Sequence, residues 1–220
     1  MNTRQKLIAK IAENIVAQTK EGVYKVGIDG VDGAGKTYFG DELTQELKRY
    51  DIPLLRSSTD FFHNPRKVRY RLGKQSPEGF FLNSFNYAKM KALLLDSVSE
   101  GSGQICYERY FNHRTNQVEM SSPKEVKGKA ILVVDGIFLH RQELRTYWDF
   151  SIFLKVTRQE SLYRCHIRDG SSAAIDAPEN QRYVLGQKIY LEQCKPTALA
   201  SIVLNNETLE KPFIEKNNLC

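Results

Sequence analysis

Cysteine, tryptophan and long apolar stretches are all scarce in this sequence. Four cysteines among 220 residues (Cys106, Cys165, Cys194 and Cys220) are scattered, with no C-x-x-C pair. That argues against a disulfide scaffold or a cysteine zinc site and suits a reducing compartment, the cytoplasm. No apolar run approaches the roughly 20 residues of a membrane helix, which excludes a helical membrane span. No internal repeat, low-complexity tract or Pro/Gly/Ser-rich linker divides the chain, so a single domain over 1–220 is expected. Acidic residues fall short of basic ones, 26 against 32, and the net charge of +6 points to an anionic partner. With 41% hydrophobic and 26% charged residues, the composition is that of an ordinary globular protein able to bury a core.

What is present alternates in type. Leu7, Ile8, Ile11, Ile15 and Val16 recur at helical spacing among charges, so a helix over about 3–20 is expected. It reads as packed on the domain rather than as a targeting or membrane-surface helix. Residues 23–28 read as a buried strand, followed by a glycine-rich turn and a helical stretch over 36–50. A second short strand is expected over 53–57, and a helix over 86–98 with Gly101 as its stop signal. The short runs 104–108 and 117–120 flank a polar turn and read as a β-hairpin. Residues 130–135, AILVVD, lack alternation, as a parallel strand covered on both faces would. Residues 150–156 repeat that character. Helices over 157–168 and 181–193 and a final strand over 201–204 complete the pattern. Strand and helix in succession predict an open, mainly parallel α/β sheet, whose ligands sit beyond the carboxyl ends of the strands.

Residues 30–37, GVDGAGKT, fit the pattern GxxxxGK[ST] between an expected strand and an expected helix. Gly30, Gly33 and Gly35, with Val31, Asp32 and Ala34 between them, let backbone N–H groups turn around a phosphate. The helix that begins near Lys36 adds its positive end. Lys36 supplies a point charge to the terminal phosphates, and the Thr37 hydroxyl can hold Mg²⁺. The ligand this loop points to is a nucleoside triphosphate, ATP or GTP, with Mg²⁺. The loop does not name the phosphoryl acceptor.

Two carboxylates stand at strand ends. Asp135 closes the run AILVVD before Gly136, where it either completes the metal shell or simply starts a turn. Asp60, in STDFFH, either takes the proton of an acceptor hydroxyl or caps the next segment. A short crossover between the first two strands would set it beside the loop. Phe61 and Phe62, taken alone, read as core.

The ordered set GIDGVDGAGKT, STDFFH, NSFNYAKM, CYERYFNHRTN, VVDGIF and LYRCHIRD resembles the uridine kinase-like branch of the P-loop kinases, with phosphoribulokinases, pantothenate kinases and nicotinamide riboside kinases as wider relatives. The resemblance runs from about residue 23 to 204. It implies a P-loop NTPase three-layer sandwich with a mainly parallel sheet, a substrate-side β-hairpin over about 103–121 and a helical lid over about 164–182. It implies a kinase for a small hydroxyl-bearing metabolite, typically a nucleoside phosphorylated at its 5′-oxygen. By the same resemblance Asp60 is the catalytic base, Phe62 stands where the family often has Tyr, and Asn83 stands where an Asp grips ribose hydroxyls. Tyr107 and His113 match residues lining the base pocket, and Asp135 stands where the branch often has Glu. Arg164, Arg168 and Asp169 match the start of the lid. Four residues apart, the two arginines share a helical face and could both point at a triphosphate, or form surface pairs. Residues 170–180, small and polar, suit a hinge or an ordinary connection.

The run 66–74, RKVRYRLGK, holds five basic residues in nine. It reads as a nucleic-acid contact, a solvated loop or a funnel for phosphates. The expected activity is therefore ATP-dependent phosphorylation of a nucleoside, with uridine and cytidine first. The alternatives are a kinase of another small alcohol (pantothenate, nicotinamide riboside or a sugar phosphate) and a nucleotide-dependent RNA-binding regulator. No RNP-type strand or helix-turn-helix pattern supports nucleic acid. No membrane partner is expected, and homo-oligomerisation stays open.

Overall fold

A computed structural model of the chain describes residues 2–99 and 104–218. Gly101, the expected stop signal, and Cys220 lie outside the described residues. Cys106, Cys165 and Cys194 are free thiols. Helix α1 (Thr3–Gln18) opens on a reciprocal cap: the Asn2 side chain accepts the Gln5 N–H at 2.9 Å, and the Gln5 side chain accepts the Asn2 N–H at 3.0 Å. Ile8, Ile11 and Ile15 are buried on its inner face. Strand β1 (Val23–Gly30) feeds the glycine-rich turn, and α2 (Lys36–Leu47) follows from Gly35. Then come β2 (Leu54–Ser58), a tight turn over Thr59–Phe62, and the short helices α3 (Arg66–Arg69), α4 (Pro77–Asn83) and α5 (Tyr87–Met90). The expected helix over 86–98 is α5 continued by a wide π turn over Lys91–Leu95.

The hairpin region departs from its expected register. Strand β3 (Gln104–Cys106) pairs with β6 (Lys124–Val126), while β4 (Phe111–Asn112) pairs with β5 (Gln117–Val118). Two short nested ladders thus replace a pairing of 104–108 with 117–120. The inner turn contains Asn116 at φ +60, a left-handed conformation that Asn tolerates. The chain continues through β7 (Ala130–Asp135), β8 (Phe150–Lys155), α6 (Arg158–Asp169), α7 (Pro178–Cys194), α8 (Pro196–Leu199), β9 (Ile202–Asn205) and β10 (Phe213–Asn217).

The main sheet has the order β10-β9-β8-β1-β7-β2. Its strands run parallel except β10, which lies antiparallel on β9. Strand β7 therefore separates β1 from β2, so the expected short crossover between neighbouring strands is not what sets Asp60 in place. Residues 201–204 are also not the last strand. The edge strand β10, FIEKN, is exposed along its length and carries no apolar alternation to announce it.

Successive residues of β7 bury into opposite layers. Ile131 and Val133 join Ile8, Ile15, Phe39 and Leu43 on one face; Leu132 and Val134 join Met90, Leu94, Phe138 and Tyr190 on the other. Each such apolar side chain contributes roughly 1.5–3 kcal/mol on burial, which is why the helices are held on both sides of the sheet. The result is the three-layer α/β sandwich that the sequence implied, with the carboxyl ends of β1, β2 and β7 opening on one edge.

Candidate functional site

The turn after β1 is shaped by glycine. Gly33 and Gly35 adopt φ +68 and +86. A Cβ on Gly33 would run into the Ser161 carbonyl, and one on Gly30 would come within 2.7 Å of the Leu154 carbonyl oxygen. Glycine at Gly30 and Gly33 thus lets the turn seat tightly on β8 and α6, a packing requirement that adds to the approach of a phosphate on the inner side.

The outer side of the turn is pinned by side chains from distant parts of the chain. Ser161 Oγ donates to the Asp32 carbonyl at 2.6 Å. The Gln187 amide grips Asp32 twice, accepting its N–H at 3.1 Å and donating to Oδ2 at 3.0 Å. Asn206 Nδ2, fully buried, donates to the Ala34 carbonyl at 2.8 Å, and Arg4 Nη1 in turn donates to Asn206 Oδ1 at 3.0 Å. Arg4 is held by Glu42. The Asp32 and Ala34 carbonyls are thus engaged outward, and the first N–H groups of α2 keep no intrahelical partner. Lys36 Nζ folds across the mouth of the turn, 2.7 Å from the Val31 carbonyl. Behind the turn, Asp29 accepts the Gly30 N–H at 2.7 Å, contacts His140 Nδ1 at 2.6 Å and accepts a hydrogen bond from the Tyr190 hydroxyl. Burial and the Asp29 charge push the Tyr190 phenol well above its ordinary value.

Asp135, at the end of β7, accepts the Thr37 hydroxyl at 2.8 Å. Its other oxygen is ion-paired with Arg56 Nη1 at 2.6 Å, without an aligned hydrogen bond. A hydroxyl and a buried carboxylate side by side at a glycine-rich turn are the oxygen donors that suit Mg²⁺, which is commonly held by one or two protein oxygens together with substrate phosphates. Among the described residues no group of three or more His, Cys, Asp or Glu is arranged to hold a metal by itself.

A cavity of about 840 Å³ opens beside the turn, lined among others by Asp32, Asp60, His63, Arg69, His113 and Arg168. A smaller one of about 330 Å³ adjoins it around Asp60, Phe61 and residues 111–114. Asp60 therefore borders both. Ser58 is the residue that caps the turn, its hydroxyl accepting the Asp60 N–H at 3.3 Å. The Asp60 carboxylate makes no hydrogen bond within the described residues. It reaches water through the cavity, yet the surrounding protein strips much of its hydration and pushes its carboxyl up, and Asp135 adds to this; Lys36, His113 and Arg168 pull the other way. Asp32 is likewise pushed up by burial and drawn down by Lys36.

His63 packs against Phe85 and His113, with ring centroids 4.6 and 4.8 Å apart. Its Nδ1 lies 2.9 Å from the Asp60 carbonyl, which can only accept, so Nδ1 carries the proton and Nε2 presents a lone pair. Burial lowers its pKa to about 4. His113 is lowered too, by burial first and by Arg69 and Arg114, against the pull of Asp60.

Of the residues expected at the site, Val31, Asp32, Asp60, His113 and Arg168 line the cavity, Lys36 and Asp135 act electrostatically on Asp60, and Thr37 is bonded to Asp135. Others stand apart. Phe62 has no exposed surface and belongs to the core. Asn83 is buried at 4% exposure, with its Nδ2 unpartnered, and lies outside the cavity lining. Tyr107 is half-buried and also outside it; its N–H is tied to the Leu93 carbonyl, which fixes the strand rather than the cavity. Arg164 shares a helix face with Arg168 but turns to the outer wall. It pairs with Glu160 at 2.6 Å and donates to the Asn206 and Glu207 carbonyls, with a long contact to Gly33. Those carbonyls lie where its guanidinium reaches, so it braces the turn from outside. Arg168, paired with Asp169, lines the cavity. Residues 164–182 comprise the end of α6, an irregular stretch and the first turn of α7; Asn180 Nδ2 ties that stretch to the Ser172 and Ala174 carbonyls. Sequence reasoning missed Ser161, Gln187, Asn206 and Arg4, because nothing in their local pattern points at a turn that for Asn206 is 172 residues away, and it missed His63, whose neighbours in the cavity come from other elements.

The family model for the phosphoribulokinase / uridine kinase family matches residues 25–174. No curated protein matches the chain. Among solved structures it is similar to a possible uridine kinase from Bacillus stearothermophilus, at 20% identity, covering 90% of this chain and 97% of that one with a TM-score of 0.71. It is similar to D-glycerate 3-kinase from Cryptococcus neoformans, at 13% identity with 97% and 98% coverage and a TM-score of 0.54. It is also similar to phosphoribulokinase from Rhodobacter spheroides, at 14% identity with 83% and 70% coverage and a TM-score of 0.52. At these identities the structural likeness carries the fold alone. Among the described residues no helix is long and apolar enough to cross a membrane.

Proposed function

Since this chain belongs to the phosphoribulokinase / uridine kinase family, we propose that it transfers the γ-phosphoryl group of ATP, with Mg²⁺, to a hydroxyl of a small acceptor seated against Asp60. The observation that carries this reading is the Asp60 carboxylate: free of intramolecular hydrogen bonds and bordering the same space as Lys36's turn. The backbone N–H groups of 30–37 and Lys36 bind the triphosphate, and Arg168 covers it from the base of a lid formed by 170–177. Thr37 and Asp135 are the residues that would hold Mg²⁺, which when bound neutralises phosphate charge. Asp60 takes the hydroxyl proton as that oxygen attacks phosphorus, and the bond to the β-phosphate oxygen breaks to release ADP. A carboxylate whose pKa is raised is, in its ionised form, a better base than an ordinary one.

One acceptor for this reading is the nucleoside 5′-hydroxyl expected from the sequence, for which His113 and the accepting Nε2 of His63 at the cavity are candidate contacts. A second reading, another small alcohol such as pantothenate, nicotinamide riboside or a sugar phosphate, is favoured by the placement of Phe62, Asn83 and Tyr107 outside the lining. The surroundings are those of a cytoplasmic enzyme, and no membrane or nucleic-acid partner enters. The test is Asp60→Asn in a coupled ADP-release assay over a panel of alcohols that includes uridine and cytidine. Turnover should fall by about 10²–10⁴, the usual contribution of a general base, while calorimetry shows ATP still bound. Turnover equal to wild type would exclude the role of Asp60.

A further inference from the structure

The acceptor end of the cavity is built from two basic elements that the fold zips together. The Arg66 N–H donates to Asn116 Oδ1 at 2.7 Å and Arg66 Nη2 to the Arg114 carbonyl at 3.1 Å. Arg69 Nη2 reaches the His113 carbonyl at 3.5 Å. Helix α3 is thus docked on the turn between β4 and β5, and Arg69 and Arg114, 45 positions apart in sequence, come to line one cavity with Asp60 and His113. Behind them, Arg182 of α7 is buried at 4% exposure and spends its guanidinium on the carbonyls of Arg69, Gly73, Lys74 and Ser76.

None of these cations has a carboxylate. Among the described residues no ion pair involves Arg66, Lys67, Arg69, Arg71, Lys74, Arg114 or Arg182. Arg69 Nε is a buried donor with no partner. Of the acids of the same cavity, Asp169 pairs with Arg168 and Asp32 is held by Gln187, while the unpaired Asp60 carboxylate is the group that faces the hydroxyl in the kinase reading. Like charges gathered at a partly desolvated wall repel one another and lose hydration, a cost that an anion placed between them removes. Burial is the main cause that lowers the pKa values of His63 and His113, and Arg69 adds to it as a nearby like charge.

Resting on the kinase reading above, we propose that the acceptor carries an anionic group besides its hydroxyl, a phosphate monoester or a carboxylate, and that Arg69 and Arg114 bind it while Asp60 faces the hydroxyl. This selects, from the acceptors considered, an acidic alcohol over a neutral nucleoside. Arg71 lies in the same basic run but outside the cavity lining, so the recognition belongs to two side chains and not to the run as a whole.

The experiment is calorimetry on the full chain saturated with Mg²⁺ and a non-hydrolysable ATP analogue. The probes are glycerol, glycerol 3-phosphate and glycerate; ribose and ribose 5-phosphate; and uridine. Charged members should bind at least about tenfold more tightly than their neutral partners, since each charge-assisted pair is worth more than a neutral hydrogen bond. The phosphate and carboxylate arms tell which anion is read. Arg69→Gln and Arg114→Gln should each remove that advantage, and Arg71→Gln should keep it within twofold. Arg114 is exposed, so R114Q holds the test should R69Q fold poorly. The proposal is overturned if uridine or another neutral alcohol outbinds every charged probe, if no charged probe binds wild type, or if R71Q costs as much as R69Q and R114Q. Failure of the ATP analogue itself to bind would instead defeat the kinase reading, and the same probes titrated without it still decide on the anion site.

Discussion

Gly33→Ala tests the claim that the nucleotide turn is shaped from its outer side. Gly33 sits at φ +68, where an L side chain costs roughly 1–2 kcal/mol. An added Cβ would also meet backbone, the Ser161 carbonyl carbon at 3.1 Å with its oxygen closer still, so neither rotation nor a rotamer change relieves it. The turn must lift off α6. That breaks the Ser161–Asp32 hydrogen bond, worth about 0.5–1.5 kcal/mol. Strain, contact and lost bond together come to about 2–4 kcal/mol, nearly all of it in the geometry that the triphosphate needs. Expressed as affinity, this is a loss of about 30- to 700-fold for a Mg²⁺-bound ATP analogue. Gly22→Ala is the control: φ is +92, but nothing lies within 4 Å of the new carbon and the position is remote from the turn. It should cost only the backbone strain, seen in a denaturant melt, with affinity unchanged. Isothermal titration on both variants decides the matter. A G33A protein that binds the analogue within threefold of wild type refutes the reasoning.

Three further outcomes follow from buried polar groups. The carboxyl of Asp60 has a raised pKa, and the base form is the active one, so kcat/KM should fall as pH drops through that raised value, at higher pH than an ordinary carboxylate would give; D60N should lack this acid limb in a pH-rate profile. The same shift has a stability sign: the folded state holds the Asp60 proton more tightly than the unfolded chain, so stability is lost as pH rises and D60N should melt at or above the wild-type temperature at pH 7, despite its lost turnover. Tyr190→Phe removes a buried hydroxyl that donates to Asp29 and accepts the His140 N–H at 3.1 Å; it should cost about 1–3 kcal/mol, a drop of roughly 2–12 °C in Tm for a domain of this size, read by calorimetry.

How far the site was legible can be traced residue by residue. The turn over 30–37 was readable because its demands are local: glycines for positive φ, Lys36 and Thr37 at the helix start, an apolar strand before them. Asp135 was readable because a strand end on a parallel sheet is where ligands meet the chain. Arg164 misled because helical spacing fixes a shared face but not what that face meets; Glu160 and the carbonyls of Asn206 and Glu207 captured it. Phe62, Asn83 and Tyr107 were placed by likeness to a family, and in this chain packing withdraws them from the cavity lining.

By itself the sequence determined most strands of the central sheet, the helices beside them, and that a glycine-rich turn joins the first strand to the helix after it, since each is set by neighbours a few residues away. Only the tertiary structure decided that β7 lies between β1 and β2, that Arg4, Ser161, Gln187 and Asn206 hold the turn from outside, and that Arg69 meets Arg114. Those contacts join residues tens to hundreds of positions apart, and they come from the burial of both sheet faces, a property of the whole chain that no local pattern contains.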